Sequence, residues 1–213
     1  MITFINGMIE YISQNISYIL EQAQIHAAIS LTSVLLCILI GIPIGILLNL
    51  FPKYADLVIN IVNTIQTVPS MAMLIIMLII FGLGIQTVII TIIFYSILPI
   101  IKNTYVGLNS IDPIYLDNAK GLGMTPWQTV YKVKLPLSLP IILAGVKNAL
   151  VIAVGTTVIG SFVGAGGLGD IILRGINTVE GNTIVLTGVI FCILITIIFE
   201  LAINIINKIF LDN

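Results

Sequence analysis

Two long stretches of this chain, Ala27 to Pro52 and Leu57 to Ile101, carry no charged side chain. About 20 consecutive apolar residues suffice for an α-helix to cross the ~30 Å hydrocarbon core of a bilayer, so such stretches point to membrane spans. Lipid offers backbone N–H and C=O groups no partner, which leaves helices and closed barrels as the only spanning structures. Composition agrees: the 213 residues are 59% hydrophobic and 8% charged, with a mean hydropathy of +1.20, where soluble domains carry roughly 25% charged residues. The expected fold class is an all-α integral membrane protein without a soluble domain.

The run from Leu57 to Ile101 is too long for one span at about 1.5 Å per residue, and Gly82-Leu83-Gly84 with Gln86 supplies the turn that divides it. With a first helix from His26 to Leu50, a fourth span from Ile141 to Phe162 and a fifth from Thr183 to Asn207, five transmembrane helices are expected. Pro43, between Gly41 and Gly45, reads as a kink that neighbouring helices tolerate. Residues 1–25 read as an interfacial helix, because Ile5, Ile9, Ile12, Ile16 and Ile19 recur at helical spacing. That segment has neither a positive start nor a small-residue cleavage site, so it is expected to be retained rather than removed as a signal peptide. Residues 26–208 then form one transmembrane domain, residues 112–136 a loop within it, and residues 209–213 a tail. The glycine-rich VGAGGLGDIILRGINTVEGN is expected to be a loop or a short re-entrant segment.

Five spans put the termini on opposite sides. With the N-terminus outside, Lys53, Lys102, Lys120, Lys132, Lys134, Lys147 and Lys208 fall on or near the cytoplasmic side and only Arg174 outside, as the positive-inside rule requires. A net charge of -1 excludes a large nucleic-acid surface. Cys37 and Cys192 lie in apolar runs without metal-ligand spacing and read as small core residues, so no metal site is expected.

Several motifs argue against enzymatic chemistry. Gly164-Ala-Gly166-Gly-Leu-Gly169 fits GxGxxG, but it follows a membrane span instead of a strand, so its glycines are read as serving turns and close helix contacts. No GxxxxGK[ST] is present, so the chain has no Walker loop for ATP. The single histidine, His26, sits at the expected outer mouth of the first helix without a partner at catalytic spacing and reads as an interfacial anchor. Lys147 and Glu200 are expected to snorkel to the interface or to meet each other. Asn63, Gln66, Thr67 and Ser70 gather around Pro69, and Pro99, Lys102 and Asn103 lie near the inner end of the third span. Polar groups and helix breakers at one depth line a translocation path or hydrogen-bond neighbouring helices, and both readings stay open for Asn63, Gln66, Thr67, Pro69, Ser70, Pro99 and Asn103.

The polar block from Asp112 to Pro140 is the compositional exception, with Lys120, Lys132, Lys134 and the only tryptophan, Trp127. It reads Asp117-Asn118-Ala119, Lys120-Gly121-Leu122, Gly123, nine residues to Lys132, then Val133-Lys134-Leu135-Pro136. This resembles the EAA motif of ABC importer permeases, in which E-A-A is followed by three residues, a glycine, nine residues and I-x-L-P. Asp117, Asn118 and Val133 depart from the pattern. TVPSMAM, LPIIKNTYVGLNSIDP, KLPLSLPIILAGVKNA and GAGGLGDII resemble permeases of importers for glycine betaine, carnitine and choline, and the likeness runs from Ser30 to the C-terminus.

The resemblance implies a type I importer permease with the fold of the methionine permeases, in the cell membrane of a bacterium. It also implies a cytoplasmic pair of coupling helices that dock on an ATPase, with Asp117, Asn118, Ala119, Lys120, Gly121, Gly123, Met124, Leu135 and Pro136 as the coupling residues. The implied partners are two ATPase subunits that bind ATP and Mg, a second permease and an extracytoplasmic substrate-binding protein, with no cofactor on this chain. A methionine or other amino-acid permease is the nearer alternative. A stand-alone secondary transporter or channel is the more distant one, because internal repeats and midplane ionisable groups are missing.

Overall fold

The computed structural model describes residues 2–179 and 181–211. Met1 of the amino-terminal segment and residues 212 and 213 of the tail lie outside the described residues. The described chain is helical throughout: α1 Ile2–Leu50, α2 Ala55–Gln66, α3 Ser70–Phe81, α4 Ile85–Asn109, α5 Pro113–Gly121, α6 Pro126–Thr129, α7 Leu135–Gly160, α8 Leu168–Ile176 and α9 Asn182–Leu211. Among the described residues, four helical segments are long and apolar enough to cross a membrane: Ile5–Leu50, Ile85–Asn109, Pro126–Val163 and Asn182–Phe210. A fifth crossing arises if α2 and α3, bent by 93° at their junction, count as one span.

The amino-terminal segment continues into the first span without a loop. Helix α1 runs through residue 25, and its one departure from helical dihedrals is at Asn15, with φ -122° and ψ 15°. At about 1.5 Å per residue the helix is about 70 Å long, roughly twice the hydrocarbon core. The kink also turns the isoleucine stripe: Ile19 is buried, while Ile5, Ile9 and Ile16 are exposed. The face that packs on the bundle carries Ile12 and Ile19 of that stripe together with Tyr11, Tyr18 and Ala23.

Helix α4 is the axis of the bundle, held between α1 and α7. A Cβ added at Gly41 would come within 2.9 Å of Ile100, and one at Gly45 within 2.5 Å of Thr104. Gly41 and Gly45 form a GxxxG spacing, which lets two backbones approach closely where no hydrophobic driving force separates helix from lipid. On the opposite face, Gly107 meets Ser138 and Ile141, and Gly145 meets the backbone of Pro99 and the side chain of Asn103. The buried residues Val34, Cys37, Val88, Ile92, Ile100, Ala149 and Ala153 fill the seam. Cys37 and Cys192 are free thiols.

Two proline breaks are tied to each other. Pro99 lies inside α4 and has no N–H for the carbonyl of Tyr95; the Gln66 side-chain amide donates to that carbonyl instead. At the α2–α3 corner, where Pro69 ends the first helix, the hydroxyl of Tyr95 donates to the carbonyl of Val68. Residues Gln66 and Tyr95 therefore staple two helix breaks to each other, as a membrane interior requires.

The glycine-rich segment is a short helix, α8, seated at the end of the bundle away from the polar block. Gly164, Gly166 and Gly167 have positive φ, and a Cβ at Gly169 would collide with the carbonyl of Val158. Turns and close approach account for the GxGxxG spacing, and no strand precedes it among the described residues. His26 is not an exposed anchor: it is fully buried, with Nε2 3.1 Å from the Val154 carbonyl, and Gly167 packs on its ring. The long α1 seats residue 26 against α7, and the segment leading into α8 covers it. Gln22 accepts the Gly167 N–H at 2.8 Å, and Ser30 meets Thr157 at 2.9 Å. Lys147 hydrogen-bonds Asn204 and not Glu200, which lies one turn away on α9.

Replacing Gly45 by Val is expected to lower stability by about 1–3 kcal/mol, the usual cost of overpacking a tight contact. Gly155→Ala, where an added Cβ meets nothing within 4 Å, is the matched control, and thermal unfolding in detergent should separate the two.

Candidate functional site

The polar block is built from three punctuation signals. Asp112 caps α5 by accepting the Ile114 N–H at 2.9 Å, and Pro113 occupies the first turn, where a missing N–H costs nothing. The cap is thus Asp112; Asp117 lies within the helix and pairs with Lys120 at 3.4 Å, with both side chains largely exposed. Such an exposed pair adds little stability.

Helix α5 ends in a Schellman motif. The Met124 N–H reaches the Ala119 carbonyl at 3.0 Å and the Gly123 N–H reaches the Lys120 carbonyl at 2.9 Å, with Gly123 at φ 71°. The turn expected at Gly123 is present, and the left-handed dihedral is the reason for glycine. Thr125 then opens α6 with a capping box: its hydroxyl accepts the Gln128 N–H, and the Gln128 side chain accepts the Thr125 N–H at 2.8 Å.

The second half of the block is not a separate helix ended by Pro136. From Pro126 to Val163 the chain is one helical segment, with a π-type turn at Val130–Lys134. Pro136 cannot donate to the turn before it, and the wider turn just upstream lets its ring enter the helix. The block is therefore rigidly continuous with α7.

Burial sorts the coupling residues. Ala119 is buried at 2% exposure and anchors α5, whereas Asp117, Asn118, Lys120, Gly121, Gly123 and Pro136 are exposed and Met124 and Leu135 half-buried. Asn118 faces outward, so its departure from a small apolar residue disturbs no packing. A Cβ at Gly121 would meet nothing within 4 Å, so this chain alone does not require a glycine there. Ile114, Leu122, Trp127 and Tyr131 are also strongly exposed. A cluster of large apolar side chains on a polar block marks an interaction surface.

Behind this surface lies a cleft of about 330 Å³, lined by Asn49 and Leu50 from α1 and by Leu116, Lys120, Met124, Pro126, Thr129, Val130 and Lys134. The Lys134 ammonium reaches across to Asn49 Oδ1 at 3.0 Å.

The translocation-path candidates divide. Gln66, Pro99 and Asn103 come together in a groove of about 600 Å³ with Lys102, Asn148 and Val151. Asn63, Thr67, Pro69 and Ser70 do not line it; Pro69 caps α3, and the Thr67 hydroxyl donates to the Thr64 carbonyl. Gln66 serves both readings, since it lines the groove while holding the Tyr95 carbonyl. Asn148 was not singled out from the sequence, where it is one amide in an apolar helix. Asn49 carries no motif and Asn109 is one unassigned residue of a family-like segment, and only their meeting at 2.9 Å brings them out. Among the described residues no three His, Cys, Asp or Glu gather as a metal site.

Residues 37–212 match the family model described as binding-protein-dependent transport system inner membrane component. The chain belongs to that family. It is a multi-pass membrane permease and a transport component. It is 46% identical over 192 residues to the glycine betaine/carnitine/choline transport system permease protein OpuCD of Bacillus subtilis (strain 168), covering 90% of this chain and 84% of the relative. It is 45% identical to the carnitine transport permease protein OpuCD of Listeria monocytogenes serotype 1/2a (strain 10403S), covering 86% and 82%. The choline transport system permease protein OpuBD of Bacillus subtilis (strain 168) is 46% identical, covering 86% and 81%. An inward-facing structure of the MetNI methionine ABC transporter shares the fold, with a TM-score of 0.80 at 24% identity over 94% of this chain and 98% of that one.

A Gly123→Val variant is expected to destabilise the α5–α6 turn by about 1–2 kcal/mol, because a β-branched residue resists the left-handed region, while Gly123→Asn should be milder. The rate of proteolytic cleavage within the block, measured in detergent, checks the order Val, Asn, Gly.

Proposed function

We propose that the chain is the permease of an ABC importer that brings glycine betaine, carnitine and choline into a bacterial cell. The observation that carries this reading is the 45–46% identity, over more than four fifths of both chains, to permeases named for these quaternary ammonium compounds. The likeness to the methionine importer stands at 24% identity and speaks for the fold alone.

In this reading the permease binds no ATP, Mg or other cofactor, and two cytoplasmic ATPase subunits bind and hydrolyse the nucleotide. Their docking surface is the exposed Ile114, Leu122, Trp127 and Tyr131 together with the open backbone at Gly121. The N-terminus lies outside and the C-terminus in the cytoplasm, which keeps all seven lysines at or near the cytoplasmic side and Arg174 outside. Closure of the ATPases moves two permeases between inward- and outward-facing states.

The groove at Gln66, Lys102, Asn103 and Asn148 is the wall of the path. Amides and an ammonium on the side of an apolar bundle are costly against lipid, so they are best satisfied by a watered passage against a second permease. Quaternary ammonium selection normally uses an aromatic cage, and the groove lining has no aromatic residue. Selection therefore falls to an extracytoplasmic binding protein, and the path holds substrate weakly.

Uptake of labelled glycine betaine, carnitine, choline and methionine by vesicles holding the assembled importer tests the assignment. Uptake of at least one of the first three without methionine is expected; uptake of methionine alone overturns it. For docking, Gly121→Trp is expected to insert and fold normally yet no longer co-purify with the ATPase. Normal co-purification and uptake in that variant would remove Gly121 from the interface.

A further inference from the structure

One directed chain of hydrogen bonds crosses the junction between the polar block and the bundle. Lys134 Nζ donates to Asn49 Oδ1 at 3.0 Å, Asn49 Nδ2 donates to Asn109 Oδ1 at 2.9 Å, and Asn109 Nδ2 donates to the Tyr105 carbonyl at 2.8 Å. Its members come from the π-type turn, the last turn of α1 and the last turn of α4.

The lysine sets the direction of the whole chain. An ammonium only donates, so Asn49 has to present its oxygen to Lys134 and its amide nitrogen to Asn109. Asn109 then has to present oxygen to Asn49, which leaves its nitrogen for the Tyr105 carbonyl. Reversing either amide would set two like groups against each other.

Among the described residues, the Lys134–Asn49 bond is the one side-chain hydrogen bond joining the block to α1 or α4. The block also meets α4 through the Ser110–Asp112 connection and through Ser138 against Gly107, but at the end of α1 an open cleft lies beside Lys134 and Asn49, so there the hydrogen bond bridges a gap. Lys134 also closes the π-type turn, the irregular stretch in an otherwise continuous α6–α7 segment. Coupling between sites travels through such hydrogen-bonded links between rigid elements.

We propose that Lys134, Asn49 and Asn109 form a positioning link that passes displacement of the block to the ends of α1 and α4, with Asn49 as its hub. Helices α1 and α4 are closely packed through Gly41 and Gly45, so a pull on their shared end moves them together. None of the three touches substrate in this scheme. The proposal rests on the ATPase-docking reading above and adds the route by which docking reaches the bundle.

The test uses the complete importer in vesicles with Asn49→Leu, Lys134→Met, the double variant and Lys134→Arg. The readouts are ATPase co-purification, ATP hydrolysis, uptake of labelled glycine betaine, and the ratio of ATP hydrolysed to substrate moved. Each of Asn49→Leu and Lys134→Met is expected to keep the ATPase bound yet raise that ratio roughly threefold or more, the scale of losing one ordinary hydrogen bond. The double variant should be no worse than either single, because all three break the same link. Lys134→Arg, which still donates, should stay near the wild type.

An unchanged ratio in both single variants overturns the link, and so does additivity in the double. Loss of ATPase binding in step with uptake also overturns it, since that marks a docking or folding defect. If Asn49→Leu does not fold, Lys134→Met carries the test, because its apolar stem is kept. A wild-type permease that neither holds the ATPase nor takes up glycine betaine refutes the reading of function itself; a working wild type with unchanged variants refutes only the link.

Discussion

The close approach of α4 to α1 and α7 is the constraint on which the rest of this structure depends. Helix association in a membrane gains nothing from expelling water, so contact has to come from fit. Gly41 and Gly45 open α1 to Ile100 and Thr104, while Gly107 and Gly145 close the seam with α7. Because α4 is gripped on both sides, its ends are fixed relative to the polar block at one end and to the Gly160–Val163 turn at the other. The same contact carries Pro99 and Tyr95 to the α2–α3 corner, where Gln66 satisfies a carbonyl that proline has freed.

That packing gives the polar block its mechanical meaning. Its first helix is an independent unit, capped by Asp112 and closed by Gly123, whereas its second half is the start of a segment that continues to Val163. A partner that grips Trp127 or Tyr131 therefore holds the end of a transmembrane helix. In the proposed reading the exposed apolar side chains supply the grip, and the Lys134–Asn49–Asn109 chain extends it to α1.

Much of this was legible in the sequence because it depends on local chemistry. The turn at Gly123 follows from glycine's access to positive φ, the helical class from uncharged stretches in a chain that has to satisfy its own backbone, and the bland role of Gly164 to Gly169 from the missing strand. Polar residues were harder to read. Asp112, which no motif marks, stands just before Pro113 and caps α5. His26 looked like an interfacial anchor because the kink at Asn15 and the cover of the segment leading into α8 leave no trace in local composition.

By itself the sequence determined the helical class, the glycine turn at Gly123 and the block with its family pattern, since each depends on residues within a turn or two of one another. Only the tertiary structure decided which polar groups meet. Gln66 and Tyr95, Lys134 and Asn49, and Lys147 and Asn204 lie far apart along the chain, and a hydrogen bond requires donor and acceptor within about 3 Å. A single amide in an apolar helix reads the same whether it faces a path, a neighbour or a lysine. The packing of α4 between its glycine-bearing neighbours decides which of these it becomes.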